Sequence, residues 1–221
     1  MFVITKDMKK LLTILCLVLL VSCSEEPEVV TGPFVFKDGI RYDQKTNEPV
    51  TGTVEKFFEN GQLEQRGNYK DGKEGGLRES FYENGQLLSR GYYKDGESHG
   101  IWESYFENGQ LKEKTNYKDG KVVGLRVWFK KNGQLQSRGN YKDGELDGLQ
   151  ENFHDNGQLE FKWNFKDGER EGFQEEYYKN GQLQRRGNVT EGKENGLWEY
   201  FDEDGNLTNT EEYKDGELIK Q

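Results

Sequence analysis

The segment NGQLLSRGYYKDG, residues 84–96, decides the fold. Asn84-Gly85 and Asp95-Gly96 bracket a run rich in Tyr and too short for a helix. Asn-Gly and Asp-Gly are the strongest short-range hairpin signals, because these residues tolerate positive φ. Working outward, Asn-Gly-Gln-Leu recurs at 60, 84, 108, 132, 156 and 180, and Asp204-Gly205-Asn206-Leu207 continues the series. Every step is 24 residues. Tyr69-Lys70-Asp71-Gly72 has counterparts at 93, 117, 141, 165 and 213, and a degraded copy at Val189-Thr190-Glu191-Gly192. A third series places an apolar residue after Gly: Leu77, Ile101, Leu125, Leu149, Phe173 and Leu197. Self-similarity this regular means an array of one supersecondary unit.

Each unit reads as a β-hairpin, joined to the next by its Lys-Asp-Gly turn, so successive strands are antiparallel neighbours. The expected fold is all-β, an elongated single-layer antiparallel meander. Two registers are open. A three-residue turn over Glu83, Asn84 and Gly85 sets Phe81 opposite Leu87. The columns headed by Leu77, Phe81, Leu87 and Tyr93 then share one apolar face. A two-residue Asn-Gly turn would instead pair Glu79 with Arg90, Glu103 with Lys114 and Glu175 with Arg186. The first register is favoured. Residues 34–58 read as a degenerate capping repeat turning at Asp38-Gly39, residues 59–217 as the array, and 218–221 as a tail. Lone hairpins are marginal, so stacking of neighbours must stabilise the whole.

Composition agrees with a thin sheet. Hydrophobic residues are 32% of the chain and mean hydropathy is −1.05, yet aromatics reach 13%, with 28 Gly against 3 Pro. The net charge is −10. Lys6, Lys9 and Lys10 against Asp7 leave residues 1–22 at +2, so residues 23–221 carry −12. A polyanion repels phosphates, which argues against nucleic-acid binding.

Lys9-Lys10, an apolar run from Leu11 to Val21 broken by Thr13, and Ser22-Cys23 have the order of a secretory signal. Spanning a bilayer takes about 20 apolar residues, more than this run supplies. Leu20-Val21-Ser22-Cys23 is similar to a bacterial lipobox, which implies acylation of Cys23 and removal of residues 1–22. Residues 23–33 would form the acylated Cys and a flexible tether, placing the protein on a membrane of the bacterial cell envelope.

Asn-Gly-Gln-Leu, Tyr-Lys-Asp-Gly and the Gly-x-Trp-Glu-x-Tyr-Phe pattern of residues 100–106 together resemble the variant MORN repeat of bacterial YwqK-family antitoxin proteins. The resemblance covers about residues 34–217. It implies an elongated sheet that binds proteins and sometimes lipids, and its antitoxin members imply a toxin as partner. A lipobox would move that role outside the cytoplasm, toward an immunity protein.

Catalysis finds no support in the residues. Glu55, Glu79, Glu103, Glu151, Glu175 and Glu199 form one column, broken at Val127. Catalytic carboxylate pairs need two different environments, and a column repeated in near-identical surroundings is structural. His99 and His154 fall in different slots, expected in a turn and a strand respectively, as solvated residues without a second ligand for a metal. No cofactor and no small-molecule substrate are expected. Trp102, Trp128, Phe161, Trp163 and Trp198 are the candidate partner-binding residues, since Trp is enriched in hot spots; sheet packing is the competing role. The expected function is therefore non-enzymatic: a lipid-anchored repeat protein binding a protein partner, with a membrane-associated scaffold as the alternative.

Overall fold

The computed structural model describes residues 28–220. Cys23 and the signal segment lie outside them. The described chain is β-structure throughout. An N-terminal group comprises β1 (Val29–Val30), β2 (Phe34–Lys37), β3 (Ile40–Asp43) and β4 (Gly52–Phe57). Then follow β5 (Leu63–Lys70), β6 (Lys73–Phe81), β7 (Leu87–Lys94), β8 (Glu97–Tyr105) and β9 (Leu111–Lys118). The array continues through β10 (Lys121–Val122), β11 (Gly124–Phe129), β12 (Leu135–Lys142), β13 (Glu145–Phe153) and β14 (Leu159–Lys166). It ends with β15 (Glu169–Arg170), β16 (Gly172–Tyr177), β17 (Leu183–Thr190), β18 (Lys193–Phe201), β19 (Leu207–Lys214) and β20 (Glu217–Lys220). From β4 to β20 neighbouring strands pair antiparallel in one long sheet of 18 strands, with β10 and β11 both paired to β9, and β15 and β16 both paired to β14.

The two hairpin ends use different turns. At Asp95-Gly96 both residues have positive φ, 53° and 88°, and Lys94 pairs with Glu97, a tight two-residue turn. At Asn84-Gly85 only Gly85 is left-handed, at 82°. Gly85 N–H donates to the Tyr82 carbonyl and Tyr82 N–H to Gln86, which closes the expected three-residue turn. Phe81 then sits opposite Leu87.

The ion pairs of the rejected register are present as well. The ladder shifts between Ser80 and Phe81, leaving Leu88 as an extra residue, and beyond it Glu79 faces Arg90. A single-residue bulge lets one hairpin satisfy both patterns. A larger bulge sits at the Asp-Gly hairpins from β5–β6 to β14–β16, whereas Asp38-Gly39 pairs without a break. Arg90 pairs with Glu103 and Tyr92 with His99, so residues 100–102 oppose Gly91 alone. Gly100 takes φ 71° there.

These bulges correct the expected facing. The columns headed by Leu77, Phe81 and Leu87 do share one face, with Leu77 opposite Tyr92 and Glu79 opposite Arg90. The Tyr93 column lies on the other face, because Tyr93 alternates with Tyr92 and pairs with Gly76. There it meets Trp102, edge-on at 5.1 Å between centroids. Apolar side chains are thus divided between two faces, here named the tryptophan face and the ladder face. The tryptophan face is the one that buries them: Trp198, Val189, Tyr69 and Val54 are all buried.

A row of alternating size runs across the tryptophan face. Register pairing orders it Val54, Gly67, Arg78, Gly91, Trp102, Thr115, Arg126, Gly139, Gln150, Trp163, Gln174, Gly187, Trp198, Glu211. Trp102 and Trp198 lie flat over Gly91 and Gly187, where a Cβ would come within 2.1 and 2.3 Å of the ring. Where Trp163 replaces Gly, both flanking positions hold Gln. The row explains why the Trp and Gly slots vary together.

Inter-repeat hydrogen bonds complete the stacking. The amides of Asn60, Asn108, Asn156 and Asn180 each donate to a carbonyl 23 residues on. Asp204 occupies this slot in the seventh matching position of the series. His154, expected in a strand, follows β13 in the turn, and its Nε2 contacts the Tyr177 carbonyl at 2.9 Å. Tyr82 and Tyr178 use the same slot to donate to Tyr105 and Phe201 carbonyls. His99, expected in a turn, lies in β8.

The N-terminal region is more ordered than a tether and a degenerate hairpin. Val29–Val30, within the expected tether, pair in parallel with Thr53 and Val54 and make the sheet mixed. The β2–β3 hairpin turns at Asp38-Gly39 as expected and forms a separate two-stranded sheet. It places Arg41 over the Tyr69 ring at 4.5 Å and Phe34 against Val50, Val54 and Tyr69. At the other end, residues 218–220 of the expected tail belong to exposed β20.

The size-alternating row yields a test. Gly187→Trp alone forces a second indole onto Trp198, and overpacking of this kind costs about 1–3 kcal/mol. Adding Trp198→Gln recreates the Gln150–Trp163–Gln174 arrangement and is expected to recover most of the loss, read as the midpoint of thermal unfolding of the single and double variants.

Candidate functional site

The ladder face is the candidate binding surface, and its chemistry follows from register. Because side chains of directly paired residues share a face, the Glu column interleaves with a cation column. The order across the sheet is Glu55, Arg66, Glu79, Arg90, Glu103, Lys114, Val127, Arg138, Glu151, Lys162, Glu175, Arg186, Glu199, Thr210. Six carboxylates thus alternate with six cations. Arg66 reaches Glu79 at 2.7 Å, Arg90 reaches Glu103 at 2.7 Å and Lys114 reaches Glu103 at 3.3 Å. On the other side of Val127, Arg138 pairs with Glu151, Lys162 with Glu175 at 3.6 Å and Arg186 with Glu199 at 2.6 Å.

The two signs differ in depth. The Glu103 and Glu151 side chains are only 14% and 13% exposed, whereas Arg90 and Arg138 are 51% and 46% exposed. Half-exposed cations therefore stand above recessed carboxylates. Burial pushes the Glu103 carboxyl up, but hydrogen bonds from Arg90, Tyr105 and Lys114 outweigh it and hold the group below its usual value. The Glu103 hydrogen bond in turn holds the Arg90 guanidinium above its ordinary range. Each exposed pair contributes about 0.2–1 kcal/mol, so the ladder matters as a pattern more than as a source of stability.

Alongside the ladder runs a row with the register order Leu77, Tyr92, Ile101, Asn116, Leu125, Asn140, Leu149, Asn164, Phe173, Asn188, Leu197. Ile101, Leu125 and Leu197 are about half exposed, at 51%, 50% and 56%. Of the Asn residues, Asn140 and Asn164 are partly buried, Asn164 donating to the Phe173 carbonyl at 2.7 Å, while Asn116 and Asn188 are exposed. Shallow depressions open between this row and the ladder, one of them lined by Leu77, Tyr92, Ile101, Arg90 and Lys114. A regular stripe of exposed apolar side chains beside paired charges is a surface that can be desolvated by a macromolecule.

The five aromatic candidates lie on the opposite face. Trp198 is buried, and its Nε1 donates to the Asn188 carbonyl at 3.1 Å. Trp102 is partly buried and makes the equivalent bond to the Tyr92 carbonyl. Trp128 lies under the Arg126 guanidinium, 4.5 Å from its ring centre. Phe161 and Trp163 stack at 4.0 Å, with Arg170 over the indole at 5.1 Å. All five are engaged in intramolecular packing. The exposed Ile101, Leu125 and Leu197 were not singled out by sequence because their column read only as one of four sharing an apolar face. Among the described residues, no cluster of three or more His, Cys, Asp or Glu is arranged to hold a metal.

With this geometry in place, comparison with known proteins identifies the repeat. The model described as "MORN repeat variant" matches seven segments: 50–71, 74–95, 98–119, 122–143, 146–167, 170–190 and 194–215. The chain belongs to the MORN repeat variant family. MORN repeats commonly bind membranes or proteins, in keeping with a repeat surface that acts by contact. No curated protein matches the chain. Among solved structures, similarity is found to TarM, at 16% identity and a TM-score of 0.28, covering 42% of this chain and 20% of that one. An S. aureus TarM mutant in complex with Fondaparinux, alpha-GlcNAc-glycerol and UDP is similar at 12% identity and a TM-score of 0.26, covering 59% of this chain and 22% of that one. The chain spans about a fifth of the length of these structures, and scores this low carry no argument about the MORN array.

The lowered Glu103 carboxyl fixes a direction with pH. A depressed carboxyl adds stability that is fully present above its unfolded value of about 4.3 and is lost as pH falls through the lower folded value. Acid titration of thermal stability is therefore expected to fall less steeply below about pH 4.3 in Glu103→Gln than in the wild-type protein.

Proposed function

We propose that the array is a non-enzymatic, lipid-anchored platform that binds a protein partner in the bacterial cell envelope. The observation that carries this is the ladder face: exposed Ile101, Leu125, Phe173 and Leu197 in equivalent slots of their repeats beside a neutral charge ladder, all on a pre-formed sheet. A rigid surface avoids the entropy of ordering on binding, and apolar anchors flanked by ion pairs supply area and register respectively. The net charge of −10 and the neutral ladder favour a protein over an anionic membrane surface. The sharper version is neutralisation of a toxin, an immunity role at the envelope, and its support is the resemblance of the repeat to YwqK-type antitoxins. The lipobox-like Leu20-Val21-Ser22-Cys23 supports the anchor.

Cys23→Ser is expected to move the protein from the detergent phase to the aqueous phase in detergent partitioning of whole cells. An unchanged distribution overturns the anchor. For the partner, the protein is purified from envelopes after crosslinking, as wild type and as Ile101→Asp with Leu125→Asp. A stoichiometric protein captured by the wild type and lost from the variant, with thermal unfolding unchanged, supports the platform. The same captured set from both, or none from either, overturns it.

A further inference from the structure

We propose that the ladder face pairs with a second copy of this chain, related by a two-fold axis that passes between Lys114 and Val127. The inference rests on the ladder face being a protein-binding surface and names its occupant. The order of charges is the reason. With Val127 at its centre, the ladder reads the same in both directions: cation, carboxylate, cation outward from Val127 on either side. An axis through Val127 itself would set like charges together. Displacing it by half a strand spacing sets Lys114 against the uncharged Val127 and every other charge near the centre against its opposite.

With the axis parallel to the strands and between Lys114 and Val127, Glu103 of one copy faces Arg138 of the other. Arg90 then faces Glu151, and Glu79 faces Lys162, each pair occurring twice. The relief matches as well, since the half-exposed cations of one copy lie over recessed carboxylates of the other. Along the apolar row the same operation sets Leu125 opposite Asn116, Ile101 opposite Asn140 and Tyr92 opposite Leu149. The half-exposed Ile101 and Tyr92 therefore meet the partly buried Asn140 and Leu149.

Charge also selects this face over others. Two chains at −10 repel, and pairing is least opposed where the surface is neutral. The ladder provides six charges of each sign in alternation. Area is adequate too. Eight central strands at about 4.8 Å and five residues of about 3.4 Å along each cover about 650 Å² per copy. That is about 1,300 Å² in total, within the range of specific interfaces, and sheets packed face to face accommodate their twist at about 30°. An isologous contact of this kind closes on itself and forms a dimer, not a fibre.

The test uses the full-length protein in isolated envelopes. Cys23 is the only cysteine after residue 22, so Val127→Cys introduces one defined thiol near the axis. A short bis-maleimide is expected to give an adduct of twice the chain mass. Asp95→Cys, in a turn at the sheet edge, serves as the control and is expected to remain monomeric. Adding Ile101→Asp and Leu125→Asp to Val127→Cys is expected to reduce the adduct to the control level without shifting thermal unfolding. Monomer alone from Val127→Cys, or equal adduct from Asp95→Cys, overturns the dimer. An adduct with a different protein also overturns it, while leaving the ladder face a partner surface. Absence of any adduct, together with an unchanged partner set in Ile101→Asp, Leu125→Asp, removes both.

Discussion

The wide bulge at the Asp-Gly hairpins inside the array is the constraint on which the rest of the sheet depends. Three residues, such as Gly100, Ile101 and Trp102, oppose a single residue of the neighbouring strand. Such a break leaves backbone groups without ladder partners, and a buried unpaired carbonyl is costly. The array resolves this with side chains from both faces. Trp102, Gln174 and Trp198 donate to the carbonyls of Tyr92, Asn164 and Asn188. Asn68 and Asn164 donate to the carbonyls of Leu77 and Phe173. The Gly, Asn and Trp slots of the repeat are therefore parts of one device.

That device also divides the apolar residues. The bulged strand bends, which brings Tyr93, Trp102 and Tyr117 together on one side. On the other side it leaves Ile101 and Leu125 half exposed. A single-layer sheet with few aliphatic residues thereby gains a packed aromatic side and keeps an apolar stripe open. The alternation of large and small residues, with Gly187 beneath Trp198 and Gln on both sides of Trp163, sets how closely neighbouring repeats approach.

Function is tied to the same geometry. The stripe lies beside carboxylates and cations whose order is set by antiparallel pairing, so the chemistry of the exposed face is periodic and locally neutral on an acidic chain. The one interruption, Val127, falls at the middle of the ladder, where Lys114 and Arg138 have a carboxylate on one side only. Under the proposed function, a surface with this pattern would recognise order along a line.

The repeat, the β class, the turn positions, the three-residue Asn-Gly turn and the pairing of Phe81 with Leu87 were legible in sequence, because Gly and Asn at fixed spacing dictate backbone conformation locally. Both candidate registers were legible too, but not that one bulge residue, Leu88, allows them to coexist. The facing of the Tyr column could not be read, since a single extra residue reverses every side chain beyond it. For the same reason the tryptophans, conspicuous in sequence, lie on the face opposite the open stripe, whose residues read in sequence as part of one apolar face with the Tyr column. Local conformation is encoded residue by residue. Which side of a sheet is covered is decided only when the strands have paired and bent.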